Sequence, residues 1–376
     1  MMKRHCTDGI LQFLGFECRK LKVLNIMGSP VTERGLFWII GAKLCDDCSG
    51  YGLDDLEEFE LDCSGDGYYP PLSAPFMIKM FTFLKKLKKL RIECSDSSFE
   101  NYVMNPFNQI VDFACLTGFN TKVVPRIYPN LVSTSLAIND RSDKVVKVLN
   151  NCRHLKNIKL FFGDSVNIGE GLQAFLDQHP NISNFTNIDI KSLSRLRASH
   201  LKSIAENCPK LEYLTVCSDG GWQDTVSNLK PKDNYFVDLE SLQIKIQGRY
   251  AQVEETDALM SFFLMSSAFK LRKFEFHHIP TKFPLDEFIK RVARHNPLSH
   301  LESLLFNGVG YEHIVPVDIS LDTVKMLIVS LPNIRKMNIY DWNIKKSKVR
   351  KLKQKLAQCN FDITFYTKNG TECLFI

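Results

Sequence analysis

The sequence lacks an apolar segment long enough to span a membrane. Its longest nearly continuous apolar run covers residues 35–42, far short of the roughly 20 apolar residues of a transmembrane helix. Residues 1–17 also do not show the succession of a charged, an apolar and a small-residue region that marks a secretory signal peptide. These absences predict a protein of the reducing cytoplasm or nucleus, where disulfides are rare.

A strong charge of one sign and low-complexity tracts are missing as well. The chain has 376 residues, of which 44% are hydrophobic and 24% charged, and its formal net charge is +6. This composition is typical of a globular protein. The positive charge is too small and too scattered to indicate a nucleic-acid partner, and we expect none.

Motifs for catalysis and for cofactors are absent too. The sequence contains no phosphate loop, dinucleotide fingerprint, zinc-protease helix or nucleophile elbow. Cys45 and Cys48 form a Cys-x-x-Cys pair, but no second pair follows at the spacing of a zinc finger. His277 and His278 stand at the end of a strand phrase, and Glu275 is the one acidic residue close to them in the sequence, too few ligands to predict a metal site. We expect a protein that is not an enzyme and holds no metal or cofactor.

The sequence does contain a short apolar phrase that recurs along its whole length. An apolar residue, two variable positions, a second apolar residue, one variable position and a third apolar residue form this phrase, as in Leu21, Leu24 and Ile26. Copies begin at Leu21, Leu56, Leu87, Leu131, Leu155, Phe185, Leu211, Leu239, Leu271, Leu301 and Ile334. This Leu-x-x-Leu-x-Leu pattern is typical of the strand of a leucine-rich repeat, whose units must stack to bury their apolar faces.

Between the phrases, apolar residues follow helical spacing. One such stripe is formed by Leu201, Ile204, Ala205 and Cys208 and predicts an amphipathic helix. Pro209 follows this stripe directly. Similar stripes precede Pro180, Pro297 and Pro332, and Ser320 is the predicted N-cap of the helix before Pro332. Strand, turn and helix in each unit predict an α/β leucine-rich-repeat solenoid. We expect a horseshoe of about eleven repeats, with a parallel concave sheet and convex helices.

The domain organisation follows from where the phrases lie. We predict a single solenoid domain over residues 1–376, with repeats in 17–342 and a C-terminal cap in 343–376. Residues 10–16 predict the helix of a repeat whose strand is missing, and such a terminal unit exposes its core. Either something else covers this edge, or the chain is a fragment of a longer product. The largest gap, between Leu87 and Leu131, and residues 62–75 predict inserted loops.

Several cysteines recur at one place in the repeat. Cys18, Cys152 and Cys208 each stand three residues before the first apolar residue of a phrase. This regular placement predicts a small buried packing residue, because free cysteine behaves as a small apolar side chain.

The phrase from Asn207 to Leu214, Asn-Cys-Pro-Lys-Leu-Glu-Tyr-Leu, resembles the cysteine-containing repeats of F-box leucine-rich-repeat proteins. Residues 151–155 and 17–21 are similar to the same motif, and related repeats occur in ribonuclease-inhibitor-like proteins. In the F-box family, an amino-terminal F-box binds a Skp-type adaptor of a cullin ubiquitin ligase, and the repeats hold the substrate. We find no F-box pattern before Leu21. The resemblance therefore implies the substrate-binding half, with an adaptor only if an F-box lies upstream. The alternative is a stand-alone repeat scaffold or inhibitor without a ligase role.

We expect a protein partner to bind the concave face, where the variable positions of each strand project. The candidate residues are Glu58, Glu60, Lys89, Arg91, Lys159, Phe161, Tyr213, Thr215, Lys245, Lys273, His277 and Tyr340. Exposed aromatic residues are frequent anchors of protein interfaces. The alternation of acidic and basic residues has a second interpretation, which is cross-strand charge pairing that stabilises the sheet.

The final four residues, from Cys373 to Ile376, have the form of a prenylation box. The alternative is an apolar cap strand that ends at the chain terminus. We expect no association with a membrane unless Cys373 is prenylated.

Overall fold

The computed structural model describes most of the repeats. The described residues are 6–40, 52–62, 76, 80, 82–93, 111–115, 130–138, 149–150, 152–162, 168–192, 196–218, 222–223, 235–246, 261, 263–279, 283–308, 317–340, 346–356 and 362–366. The chain divides into two compact units, Met1–Asn181 and Ile182–Ile376. A single domain over the full length stays a prediction.

In the described residues of the first unit, six parallel strands follow one another in the sheet in the order of the chain. They are β1 (Val23–Ile26), β2 (Glu58–Asp62), β3 (Lys89–Glu93), β4 (Asp112–Cys115), β5 (Ser133–Ile138) and β6 (Asn157–Phe162). The helices with defined bounds are α1 (Asp8–Glu17), α2 (Glu33–Ile40) and α3 (Ile168–Gln178).

The second unit repeats this arrangement. Its strands are β7 (Asn187–Ser192), β8 (Leu196–Arg197), β9 (Tyr213–Ser218), β10 (Trp222–Gln223), β11 (Ser241–Ile246), β12 (Lys273–His277), β13 (Ser303–Asn307), β14 (Lys336–Tyr340) and β15 (Asp362–Tyr366). The short strands β8 and β10 pair with each other, and the remaining strands form parallel neighbours in chain order. The helices of the unit with defined bounds are a short 3-10 helix (Ile182–Asn184), α4 (Ala198–Asn207), α5 (Leu285–His295), α6 (Leu321–Ser330) and α7 (Lys346–Leu356).

Every phrase identified in the sequence forms a strand, and the phrases align in register. Leu214, Leu242 and Phe274 face one another across β9, β11 and β12, and all are buried. Such alternation of buried and open positions is expected of a sheet that is apolar on one face. The α/β leucine-rich-repeat fold predicted from the sequence is therefore confirmed.

One strand lies where the sequence indicated only an insertion. Strand β4 occupies part of the gap between Leu87 and Leu131, and Asp112 pairs with Lys89 on one side and with Ser133 on the other. The register aligns Phe113 with Leu90. The gap thus holds an additional repeat strand that the phrase count had not included.

A backbone turn precedes the strands at the position marked by the cysteines. The Leu211 amide donates to the Cys208 carbonyl at 3.2 Å, and the Leu155 amide donates to the Cys152 carbonyl at 3.1 Å. Cys152 and Cys208 are fully buried, as predicted, and burial raises the pKa of each thiol to about 12. Cys18 is only partly buried, so the prediction is wrong there.

The predicted helices are present. Leu201, Ile204 and Ala205 lie buried on α4, and the Ser320 hydroxyl caps α6 by accepting from the Thr323 amide at 3.2 Å. Residues 343–376, which were predicted to form the C-terminal cap, contain helix α7 and strand β15.

The helix predicted at the amino end is α1. Its Ile10 and Phe13 side chains are 47% and 61% exposed, which agrees with the expected exposure of the first repeat. On the opposite side, α1 packs closely against α2, where the Phe16 and Trp38 rings lie 5.3 Å apart.

Three sequence-based predictions fall outside the described residues. They concern the Cys45–Cys48 pair, most of the loop over 62–75 and the prenylation of Cys373. Within the described part of the chain, no helix has the length and apolar character required to cross a membrane.

Candidate binding face

The side of the sheet opposite the core is formed by the strand residues that stand between the buried ones. We name it the variable face. In β2, for example, Glu58 and Glu60 alternate with buried Phe59 and Leu61. All of the candidate strand residues occupy the variable face: Glu58, Glu60, Lys89, Arg91, Lys159, Phe161, Tyr213, Thr215, Lys245, Lys273, His277 and Tyr340. That they contact a partner stays a prediction.

In the first unit, the charged candidates pair across neighbouring strands. Lys89 Nζ lies 3.2 Å from Glu58 Oε2, and this hydrogen bond raises the pKa of Lys89. The Asn25 amide nitrogen donates to Glu60 Oε2 at 2.5 Å. Here the cross-strand interpretation of the alternating charges applies. Because the Glu58–Lys89 pair is about half exposed, its contribution to stability is small.

Two basic residues of the first unit sit close to other groups on the variable face. Lys159 Nζ lies 5.0 Å from the centroid of the Phe161 ring, a favourable cation–π distance. Arg91 stands opposite Glu60 and Ala114. Its buried Nε has no hydrogen-bond partner among the described residues.

In the second unit, Glu275 is the centre of a hydrogen-bonded cluster. Lys273 Nζ lies 2.7 Å from Glu275 Oε1, and His277 Nε2 lies 3.1 Å from Glu275 Oε2. The Gln243 amide on the adjacent strand donates to Glu275 Oε2 at 2.5 Å. The His277 hydrogen bond is the largest influence that lowers the pKa of Glu275 to about 2, and burial opposes it. The carboxylate is therefore charged near neutral pH and held in one place.

Basic residues line up near the ends of the strands of the second unit. One register row across β7, β9, β11 and β12 contains, in this order, Lys191, Cys217, Lys245 and His277. His278 follows β12 with φ 57°. The His277 and His278 rings lie 6.5 Å apart. Burial lowers the pKa of His278, and the positive charges of His277, Lys245 and Lys191 lower it further. We name Lys191, Lys245, His277 and His278 the basic row.

Tyr213 supplies an exposed aromatic surface on the same face. It begins β9, stands beside Asn187 and Ser241 in register, and is 46% exposed. Tyr340, by comparison, is partly buried at the end of β14. Tyr213 is thus well placed to contact a partner, because half of its area remains open to solvent.

The search for candidate residues in the sequence missed two charged residues of this face, Asp189 and Lys191. They stand next to the second and third apolar residues of the phrase that begins at Phe185. The same rule that identified Tyr213 and Thr215 points to them. Asn338 also lies on the variable face, yet it is only 6% exposed, and its Oδ1 has no partner among the described residues.

The described residues contain no group of three or more His, Cys, Asp or Glu side chains arranged to hold a metal ion. What the variable face offers is a set of charged, amide and aromatic groups on rigid strands. Such groups recognise a molecule by hydrogen bonds, charge and apolar contact.

The fold has distant likenesses among solved structures. A chain from the crystal structure of the Rad7 and Elc1 complex in yeast is 13% identical, with a TM-score of 0.46, over 90% of this chain and 80% of that one. The Leptospira interrogans LRR protein LIC12759 is 12% identical, with a TM-score of 0.34, over 84% of this chain and 79% of that one. With TM-scores under 0.5, these likenesses add nothing to the fold that the strands themselves define.

No family model matches the chain. The F-box protein FBX14 from Arabidopsis thaliana is 24% identical over 293 residues, which are 61% of this chain and 45% of that protein. The chain thus spans less than half the length of this relative. The match confirms, at the level of sequence similarity, the resemblance to F-box leucine-rich-repeat proteins that the cysteine-containing phrase indicates.

Proposed function

We propose that this chain is a protein-binding leucine-rich-repeat module. In this role it recognises the substrate for an F-box subunit of a cullin-type ubiquitin ligase. The observation that carries the binding role is the variable face of the second unit. There an exposed aromatic side chain, Tyr213, lies on the same sheet face as Glu275, whose charge is fixed by three hydrogen-bonding neighbours. Groups held in place before binding lose little conformational entropy when a partner arrives.

The geometry of the sheet suits a protein partner. Neighbouring strands lie roughly 4.8 Å apart, so that residues at one register position form a row across the sheet. An extended segment of a partner that crosses the strands meets one side chain from each strand. Tyr213, Ser241 and Lys273 form such a row and differ in size, polarity and charge, which favours selective contact.

The ligase role is supported by the similarity to the F-box protein FBX14 and by the cysteine-containing phrase. The chain covers 45% of that relative, so the activity and the partners of the whole relative are carried over here only as part of the proposal. An F-box is what a Skp-type adaptor requires, and the repeats alone supply the substrate-binding part.

The ligase role is tested by co-expressing the full natural protein with a Skp-type adaptor and its cullin and separating the products by size-exclusion chromatography. Co-elution of the three components at equal stoichiometry is the expected result. Elution of the protein apart from the adaptor, while a known F-box protein binds that adaptor in the same preparation, would overturn the ligase role. The remaining function would then be that of a stand-alone scaffold or inhibitor.

A further inference from the structure

We propose that the basic row of the second unit binds an acidic, extended segment of the partner protein. This inference rests on the proposed function and adds the chemistry of what is bound. The partner is thereby expected to present carboxylates to Lys191 and Lys245 and an apolar side chain to Tyr213.

The basic residues of the row occupy aligned positions across the sheet. Lys191 and Lys245 flank Cys217 in register, and His277 continues the same row on the next strand. Cys217 is only 2% exposed, so it adds no charge to the surface between the two lysines. The two lysines therefore place two positive charges in one row of the sheet, on either side of a neutral position.

Two acidic residues stand next to the basic row. Asp189 and Glu275 occupy the adjacent register position, on β7 and β12. Glu275 already accepts from Lys273, Gln243 and His277, so its negative charge is largely compensated within its own cluster. Lys245 forms no ion pair with any described residue. The charge of Lys245 is therefore not neutralised by a carboxylate of the described residues.

The distance between Lys191 and Lys245 matches the spacing of side chains along an extended peptide. Lys191 and Lys245 stand two strands apart, which corresponds to about 9.6 Å across the sheet. An extended peptide in the polyproline II conformation has three residues per turn and advances about 3.1 Å per residue, so side chains three residues apart point to the same side and lie about 9.3 Å from each other. The expected motif has two acidic residues separated by two others. Tyr213 lies on β9, the strand between those of the two lysines, but four residues before Cys217. It is therefore about 13 Å along the strand from the row and is available to an apolar residue of the partner beside the acidic pair.

The test uses the full chain to select binders from a random peptide library displayed on phage. Selected peptides are synthesised, and their affinities are measured for the wild type and for the double variant Lys191→Glu with Lys245→Glu. A matched control carries Lys202→Glu and Lys290→Glu, which reverse two exposed charges on α4 and α5. A further variant, Tyr213→Arg, reports on the variable face itself.

We expect the selected peptides to be enriched in Asp and Glu with the predicted spacing. Their affinity should fall about tenfold or more in the double variant and stay unchanged in the control. Peptides that lose binding with Tyr213→Arg but show no acidic enrichment would overturn this inference and leave the proposed function standing. Peptides insensitive to every variable-face change, or a library without binders, would contradict both. A single-stranded RNA oligonucleotide that binds the row in place of acidic peptides would also overturn the inference.

Discussion

The imidazole of His179 hydrogen-bonds the carbonyl oxygen of Leu149 across a distance of 3.2 Å between Nε2 and the oxygen. The Asn181 amide donates to His179 Nδ1, also at 3.2 Å, so Nε2 carries the proton and acts as the donor to Leu149. The buried side chain, 2% exposed, thus ties the end of one repeat to the end of the repeat before it.

Asn296 makes the same connection within the second unit. Its Nδ2 donates to the carbonyls of Met265 and Ala268, and its Oδ1 accepts from the Leu298 amide. Leu149 and Met265 both stand six residues before the first residue of a phrase. Two different side chains therefore satisfy equivalent backbone groups, which would otherwise be buried without partners.

His179 should make the stability of the protein depend on pH. Burial lowers the pKa of His179, and hydrogen bonds to the backbone of Leu149 and Cys152 offset this only in part. The unfolded state binds a proton near pH 6.5, whereas the folded state resists it. The free energy of unfolding should therefore fall as the pH drops below about 6.5, until the folded-state pKa is passed.

Urea unfolding at several pH values between 5 and 8 checks this dependence. Replacement His179→Asn, which introduces the side chain that Asn296 supplies in the second unit, should keep most of the stability and flatten the dependence on pH. Replacement His179→Leu should cost about 1–3 kcal/mol at pH 8, because it leaves the backbone groups without partners. Identical pH profiles for the wild type and His179→Asn would contradict the assignment.

Gly15 permits the close contact between α1 and α2. A Cβ at this position would overlap the Trp38 carbonyl oxygen, which belongs to the backbone and cannot rotate away. Replacement Gly15→Ala should destabilise the protein by about 1–3 kcal/mol through overpacking. Gly9 on the same helix is the matched control, since a Cβ there meets only Thr7 Oγ1 at 3.9 Å.

Thermal unfolding followed by circular dichroism distinguishes the two glycines. We expect the melting temperature to fall for Gly15→Ala and to rise slightly for Gly9→Ala, because alanine favours the helix by roughly 0.5–1 kcal/mol. Equal shifts in the two variants would show that the α1–α2 contact does not limit the side chain at Gly15.

Glu275 should contribute stability that is lost in acid. Its folded-state pKa of about 2 lies below the ordinary value of 4.5, so the folded state favours the carboxylate. The contribution is complete above about pH 4.5 and disappears as the pH falls toward 2. The stability difference between the wild type and Glu275→Gln should therefore shrink over this range. In the control Glu212→Gln, at an exposed residue, the difference should stay near zero, and urea midpoints measure both.

The strands could be predicted because the phrase is a direct record of burial. Residues such as Leu24, Leu90 and Leu214 must be apolar to fill the core, and their period of two within the phrase is that of a strand. Strand β4 did not match this pattern because its third phrase position is Cys115, whereas larger apolar residues such as Ile92 fill this position in the other strands.

The candidate face was predictable in position but not in its contacts. Alternation alone places Tyr213 and Lys273 on the variable face. The convergence of Gln243, Lys273 and His277 on Glu275 depends on the register between β11 and β12, which one phrase does not specify. The hydrogen bonds from the side chains of His179 and Asn296 to backbone carbonyls were not predicted either, because a lone buried polar residue in a sequence does not reveal its partners.

The most direct test of the account is whether natural partners bind through the variable face of the second unit. Affinity purification from cells of the source organism, quantified by mass spectrometry, compares the wild type with Tyr213→Arg and with the control Lys290→Glu. The account predicts that at least one protein retained by the wild type and the control is lost from Tyr213→Arg, while all three chains stay folded. The same set of proteins at the same abundance on all three chains would contradict it.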